Sequence, residues 1–279
     1  MEEPHAPTPH RPPVTRAVVL RLFTIGIVAT GAGIAIGLAI PWFPPAAATQ
    51  AHTIDTLYYV LIICTVPIFV LVTTVVLFSA WRWKVRPGEE RLDGPPIHGN
   101  TRLEVIWTAV PSVLIASLVV YAAIVLHDIG VKKPNEIDVN VIGRQWEWSF
   151  TYLHYHDATG QPIVAPVLEL PINRPVYFTI NSVDVIHTFY VPAFRLQEDA
   201  VPGITTILRA TPDRLGSYPV ICTQLCGYGH STMRTKLYVV TAAQFSTWLA
   251  EHGYSGPTAQ AASVRTTSTR PTATKEGTP

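Results

Sequence analysis

Residues 221–233 read ICTQLCGYGHSTM, and within them Cys222, Cys226, His230 and Met233 put two thiols, an imidazole and a thioether on one short segment. Such a set fits a disulfide loop, a zinc knuckle or a copper site. A disulfide needs an oxidising compartment and leaves His230 and Met233 without a purpose. Zinc takes Cys222, Cys226 and His230 with a remote fourth ligand, but has little use for a thioether. A mononuclear blue-copper site takes one thiolate, two imidazoles and a weak axial Met. Cys226-x3-His230-x2-Met233 is the C-terminal part of that pattern, and His187 in SVDVIHTFYVP (residues 182–192) is placed to supply the second imidazole. Cys222 is surplus to one copper. Two thiolates on one loop can instead bridge two coppers, each completed by one imidazole and one weak axial ligand.

The rest of the chain sets the compartment. It has 279 residues, 48% hydrophobic and 14% charged, with a formal net charge of +1. Its mean hydropathy of +0.26 is apolar for a soluble protein. The near-zero charge gives no reason to expect nucleic acid or another strongly charged partner. Three cysteines, Cys64 in an apolar run and the Cys222/Cys226 pair, make no disulfide framework.

Apolar residues concentrate in three runs, at 22–40, 57–80 and 104–126. Each has about the 20 residues that a spanning helix needs, and none has the polar face of a core helix. The second and third predict a transmembrane hairpin within residues 49–130. Between them, residues 81–102 (WRWKVRPGEERLDGPPIHGNTR) carry Arg82, Lys84, Arg86, Arg91 and Arg102 close to the membrane ends. The positive-inside tendency makes this loop cytoplasmic and everything after Leu126 extracytoplasmic. Residues 1–48 form an N-terminal extension. Its run at 22–40 follows Arg16 and Arg21 and precedes PPAAATQA (residues 44–51), a small-residue stretch that suits a cleavage site. The run therefore reads as a signal peptide or as a retained third helix.

From residue 131 short β-type runs replace the helices. VNVIGRQWEWSFTY (residues 139–152) alternates, placing Trp146, Trp148, Phe150 and Tyr152 on one face. PVYFTINS (175–182), ITTILRA (204–210), GSYPVIC (216–222) and TKLYVVT (235–241) predict further strands. Many short strands with turn signals suggest a sandwich or barrel over residues 131–252, closed by a short helix at 242–252. The tail at 253–279, rich in Thr, Ala, Ser, Pro and Gly, is expected to be disordered.

Here a resemblance enters. DVIHTFYVPAF (184–194), EDAVPG (198–203) and CTQLCGYGHSTM (222–233) resemble the dinuclear copper A domain of cytochrome c oxidase subunit II. GRQWEWSFTY (143–152) is similar to that family's aromatic strand, and TRLEVIWTAVP (101–111) to the start of its second helix. The resemblance implies a membrane-anchored, cupredoxin-like Greek-key β-barrel at 131–252, on two helices or, if the first run is retained, three. It implies a dinuclear copper A centre in which Cys222 and Cys226 bridge both metals. His187 and Met233 would complete one copper, and His230 with the backbone carbonyl of Gln224 the other. It further implies an electron-accepting subunit that takes electrons from cytochrome c and passes them to haem in subunit I. Oxygen would be reduced to water there, with proton pumping and with subunit III as a further partner. The N-terminal region suits a multi-pass protein of the bacterial plasma membrane, in contact with lipid and with no nucleic-acid partner.

Three more residues carry weight. Trp146 matches the family's exposed tryptophan that receives electrons, whereas strand alternation puts it in the core beside Trp148. Glu104 matches the glutamate at the mouth of a proton path into the partner subunit. Thr101-x-x-Glu104 before an apolar run also reads as a capping box. Gln224 stands where the family usually has a glutamate whose carboxylate holds interfacial magnesium. An amide offers that hard cation only a dipole, so the magnesium site is expected to be weak or absent. Cys64 and Pro67 lack partners and read as packing residues, and His98, His127, His154 and His156 as surface histidines. Two rival functions remain: a copper A subunit of a nitric oxide reductase, and a membrane-anchored copper storage or delivery protein.

Overall fold

The computed structural model describes residues 14–85, 99–254 and 256. The first 13 residues, Arg86, Arg91, His98 and nearly all of the expected disordered tail lie outside them. The chain divides into two units, one of residues 1–42 and 55–124, the other of 43–54 and 125–279.

The first unit is helical. Helices α1 (Arg16–Ala39), α2 (Thr49–Arg82) and α3 (Thr101–Gly130) extend beyond the three apolar runs. Each is long and apolar enough to cross a membrane, and their apolar side chains face outward on all sides. Only a hydrocarbon surrounding matches such a surface. Among the described residues, the first run is thus a helix like the other two. Pro67 and Pro111 sit inside α2 and α3, as membrane helices tolerate.

One local expectation is corrected at the start of α3. The capping residue is Asn100, not Thr101: the Leu103 N–H donates to Asn100 Oδ1 at 3.1 Å. Glu104 accepts from the Asn100 N–H at 3.0 Å, so the reciprocal bond exists but is displaced by one residue. Asn is as good an N-cap as Thr or better, which is why the frame shifts.

The second unit is a β domain. Strands β1 (Ile137–Arg144), β2 (Glu147–His156), β3 (Pro162–Ala165), β5 (Val176–Ser182) and β8 (Thr206–Ala210) form one sheet, in the order β3-β2-β1-β5-β8. The other contains β4 (Leu168–Pro171), β6 (His187–Val191), β7 (Leu196–Ala200), β9 (Gly216–Cys222) and β10 (Arg234–Val240), ordered β4-β10-β9-β6-β7. The pairs β1–β5 and β4–β10 are parallel and the rest antiparallel, so crossovers tie the sheets into one cupredoxin-like body.

Alternation along β1, β2 and β5 buries every second residue between the sheets. Phe189 of β6 sits at the centre, with ring centroids 5.7 Å from Trp148, 6.2 Å from Phe150 and 5.6 Å from Phe178. Truncating such a fully buried ring costs about 3–5 kcal/mol. Helix α4 (Ala242–Glu251), capped by a Thr241/Gln244 box, packs Phe245 and Trp248 onto Tyr152. The chain continues onto this cluster through Tyr254, whose ring lies 5.2 Å from Tyr155, so order persists past the expected start of the tail.

The stretch that suits a cleavage site is built into this unit. Ala47, Ala48 and Ala51 are completely buried. The Ala47 N–H donates to Ala193 O at 2.9 Å, Thr49 N–H to Thr211 O at 3.0 Å and Asp213 N–H to Ala47 O at 3.1 Å. The segment bonds to the short turn at 192–194 and to the chain just after β8, and these three alanines are completely buried there.

Candidate metal centre

The loop between β9 and β10 is held at its base by main-chain bonds. Cys222 ends β9 opposite Phe189 of β6, and its N–H donates to Met233 O at 3.1 Å. Thr223 N–H reaches Thr188 O at 3.3 Å, bringing the start of the loop against the strand that begins at His187. A short 3-10 turn at His230–Thr232 turns the imidazole of His230 back toward Cys226. Gly227 has φ +118°, a conformation that favours glycine, and a Cβ there would fall 2.9 Å from the side-chain amide of Gln145.

Fold and loop together converge six donors. The two Sγ atoms are 3.8 Å apart, so both thiols are free rather than joined in a disulfide. Cys222 Sγ lies 4.0 Å from His187 Nδ1 and 3.2 Å from Gln224 O. Cys226 Sγ lies 3.6 Å from His230 Nδ1 and 3.8 Å from Met233 Sδ. The ligand atoms of His187, Cys222 and Cys226 all fall within 4.8 Å of one another. Tetrahedral metal–sulfur and metal–nitrogen bonds of about 2.3 and 2.0 Å put neighbouring donors about 3.3–3.8 Å apart, and the separations here, 3.2 to 4.0 Å, lie close to that range. Six donors exceed what one tetrahedral ion takes, and two central thiols flanked by four outer donors suit a pair of ions. Two thiolates, two imidazoles and a thioether are a soft set that suits copper.

The surroundings prepare these donors. His187 is completely buried, and its Nε2 donates to Asp184 Oδ1 at 2.8 Å, which leaves the Nδ1 lone pair facing Cys222. Asp184 Oδ1 also accepts from Val185 N–H at 2.7 Å and Ser182 Oγ at 3.2 Å, and Oδ2 from Gln145 N–H at 2.7 Å. Burial alone would raise the Asp184 pKa, but these hydrogen bonds, led by that of the Gln145 N–H, hold it at about 2. The carboxylate stays charged and fixes the tautomer of His187. Gly143 makes room for this imidazole, since a Cβ there would sit 2.9 Å from His187 Cδ2. Burial, then the neighbouring Cys222 thiol, pushes the Cys226 thiol up to about 11, so a metal must displace protons as it binds.

Trp146 is not on the core face. Gln145 and Trp146 form the turn between β1 and β2, where Arg144 pairs with Glu147 and Gly143 with Trp148. The strand's alternation therefore begins after Trp146, which is 40% exposed while Trp148 is 3%. Trp146 Nε1 donates to Cys226 O at 3.3 Å, and Gln145 Nε2 to the same oxygen at 2.8 Å. The indole lies against Gly229, where a Cβ would overlap the ring. Glu104 belongs to the helical unit, and Gln224 is exposed. His154 pairs with Asp138 at 2.5 Å and stands apart from the donor cluster. Asp184, Gln145 and Gly143 escaped sequence reasoning. The only signal was an acid three residues before His187, on the same loop.

Two family profiles match the chain. Residues 34–125 match the cytochrome c oxidase subunit II transmembrane domain, and residues 163–240, which hold all six donors, match the periplasmic domain of the same subunit. Cytochrome c oxidase subunit 2 of Synechocystis is 30% identical, over 81% of this chain and 80% of the relative. The subunit of the same name from Thermostichus vulcanus is 29% identical, over 81% of this chain and 83% of that one. Among solved structures, the periplasmic domain of subunit II of cytochrome oxidase from Bradyrhizobium japonicum is 26% identical, covers 44% of this chain and 96% of that one, and gives a TM-score of 0.39. The chain is a membrane protein with an extracytoplasmic β domain, and it belongs to the cytochrome c oxidase subunit II family.

Proposed function

We propose that this chain is the electron-accepting subunit of a haem-copper oxidase in a bacterial plasma membrane. In this reading it takes electrons from cytochrome c and delivers them to haem in subunit I, where oxygen is reduced with proton pumping, and subunit III completes the complex. The observation that carries the reading is the convergence of six soft and axial donors around two thiols 3.8 Å apart, at the end of an otherwise apolar sandwich.

His187, Cys222, the Gln224 carbonyl, Cys226, His230 and Met233 would hold a dinuclear copper A centre. Such a centre would supply a one-electron relay, with Cys222 and Cys226 as its central sulfur donors. The chain's own residues do the rest. Asp184 fixes the tautomer of His187, and the buried Cys226 and Met233 keep water from the sulfur donors. Trp146 presents an aromatic surface in hydrogen-bond contact with the ligand loop, which suits docking of a redox partner. Glu104, in the first turn of α3, would stand at the mouth of a proton path into the partner. Magnesium at the interface is expected to be weak, because Gln224 brings no charge to it.

The test is EPR of the purified complex. One unpaired electron shared equally by two copper nuclei is the expected signal. A mononuclear blue signal, or a colourless protein that binds copper reversibly, would refute the reading and favour storage or delivery. Recovery of the chain with a nitric oxide reductase would replace the oxidase partner while keeping the centre.

A further inference from the structure

In GRQWEW (residues 143–148) the residue before the exposed tryptophan is Gln145, an amide at the surface of the β1–β2 turn. Its side chain turns toward the ligand loop. Cys226 lies outside the strands and is only 3% exposed, so its carbonyl needs a donor that no ladder supplies. Gln145 Nε2 donates to it at 2.8 Å and Trp146 Nε1 at 3.3 Å. Both lone pairs of that oxygen are thereby in use, and the amide makes the shorter bond. The loop is shaped to admit it: a Cβ on Gly227 would meet Gln145 Nε2 at 2.9 Å and the Trp146 ring at 3.4 Å.

Gln145 holds the other arm of the site as well. Its own N–H donates to Asp184 Oδ2 at 2.7 Å, and Asp184 Oδ1 accepts from His187 Nε2. One residue of a turn is thus bonded both to the carboxylate that aims His187 and to the peptide that follows a central thiol. That peptide leads on to Gly227 O, which accepts the His230 N–H at 3.1 Å. The hold on Cys226 therefore reaches the turn that carries the second imidazole.

We propose that Gln145 is a positioning residue of the metal centre, whose side-chain amide fixes the Cys226 peptide and raises the centre's reduction potential. The inference rests on the copper reading above. The amide directs the positive end of its N–H dipole at the ligand loop, which favours the electron-rich, reduced state. Hydrogen bonds around a ligating cysteine tune a copper centre in this sense.

The test uses the full chain in detergent, with and without copper. Gln145→Met keeps the length that covers the carbonyl and removes the donor. In the copper-loaded protein the shared-electron EPR signal and the copper content should persist. The equilibrium constant for taking up one electron should fall about threefold, a shift of about 28 mV to lower potential at about 59 mV per tenfold. In the metal-free protein, amide exchange at His230 should accelerate about threefold to tenfold. An unchanged potential at full copper content, a loss of copper with the remaining centre at the parent potential, or unchanged exchange at His230 would each overturn the role of Gln145. A parent chain without the shared-electron signal would instead refute the dinuclear reading, while exchange in the metal-free protein still decides whether the amide holds the loop.

Discussion

Asp184→Asn keeps the shape of the side chain that orients His187 but removes its charge. Both carboxylate oxygens are in use: Oδ1 faces His187 Nε2 at 2.8 Å and the Val185 N–H at 2.7 Å, and Oδ2 faces the Gln145 N–H at 2.7 Å. An amide supplies one acceptor and one donor, so whichever way the new side chain turns, an N–H now meets an N–H. His187 is completely buried whereas the Asp184 side chain is partly exposed, so the mismatch falls hardest when the new amide faces His187. A hydrogen bond to a charged partner contributes about 1.5–3 kcal/mol, and losing such a partner to a metal-binding His lowers affinity about 10–100-fold. Competition titration of the full chain in detergent, with a Cu(I) chelator, should show that fall, together with a metal-free protein less stable by about 1–3 kcal/mol. Ser182→Ala is the control. It removes a hydroxyl that bonds Val185 O at 2.5 Å and Asp184 at 3.2 Å, and should lower stability while leaving copper affinity nearly unchanged. A copper affinity for Asp184→Asn within about twofold of the parent, well under the expected range, would refute the orienting role.

Further outcomes follow from the same geometry. Cys222→Ser should abolish the dinuclear EPR signal, because a hydroxyl does not bridge two coppers, whereas Met233→Leu should leave a copper centre with a shifted potential; a mixed-valence signal surviving in Cys222→Ser would refute the bridging assignment. Gly229→Ala should push the Trp146 ring off the loop at a cost of about 1–3 kcal/mol, detected as changed tryptophan fluorescence and slower electron uptake from cytochrome c with copper content intact. Gln224→Glu should increase Mn²⁺ bound by the oxidase, by EPR of cells grown with excess manganese, while Gln224→Ala should leave the copper spectrum nearly unaltered. The Thr159 hydroxyl, then the Gln161 N–H, holds the exposed Asp157 carboxyl below the usual range. Its depressed value stabilises the β2–β3 turn above the ordinary carboxylate pKa, and that stability is lost as pH falls below about 4. Amide exchange at Thr159 and Gln161, corrected for intrinsic rates, should accelerate there and not in Asp157→Asn.

Whatever depends on neighbours along the chain was legible in the residues alone. Apolar runs of membrane length specify helices in any context, because a backbone without water must satisfy its own hydrogen bonds. The 222–233 segment contains five of the six donors, and their spacing in a loop with glycines at 227 and 229 is a local property. The strands GSYPVIC and TKLYVVT were legible for the same reason. The rest came from contacts between distant parts of the chain. Alternation extrapolated through residue 146 put Trp146 in the core, but a period of two holds only where strands pair, and the turn at Gln145–Trp146 lies outside the ladder. That the small residues at 47–49 are built into the β unit depends on Ala193, Thr211 and Asp213, all more than 140 positions away. His187 reaches Cys222 only because β6 pairs with β9, and Asp184 is an orienting carboxylate only because the turn before β2 supplies the Gln145 N–H to hold it. Donors on one loop are set by chain order; the imidazole that completes them, and the charge that aims it, come from sheet packing that no local pattern encodes.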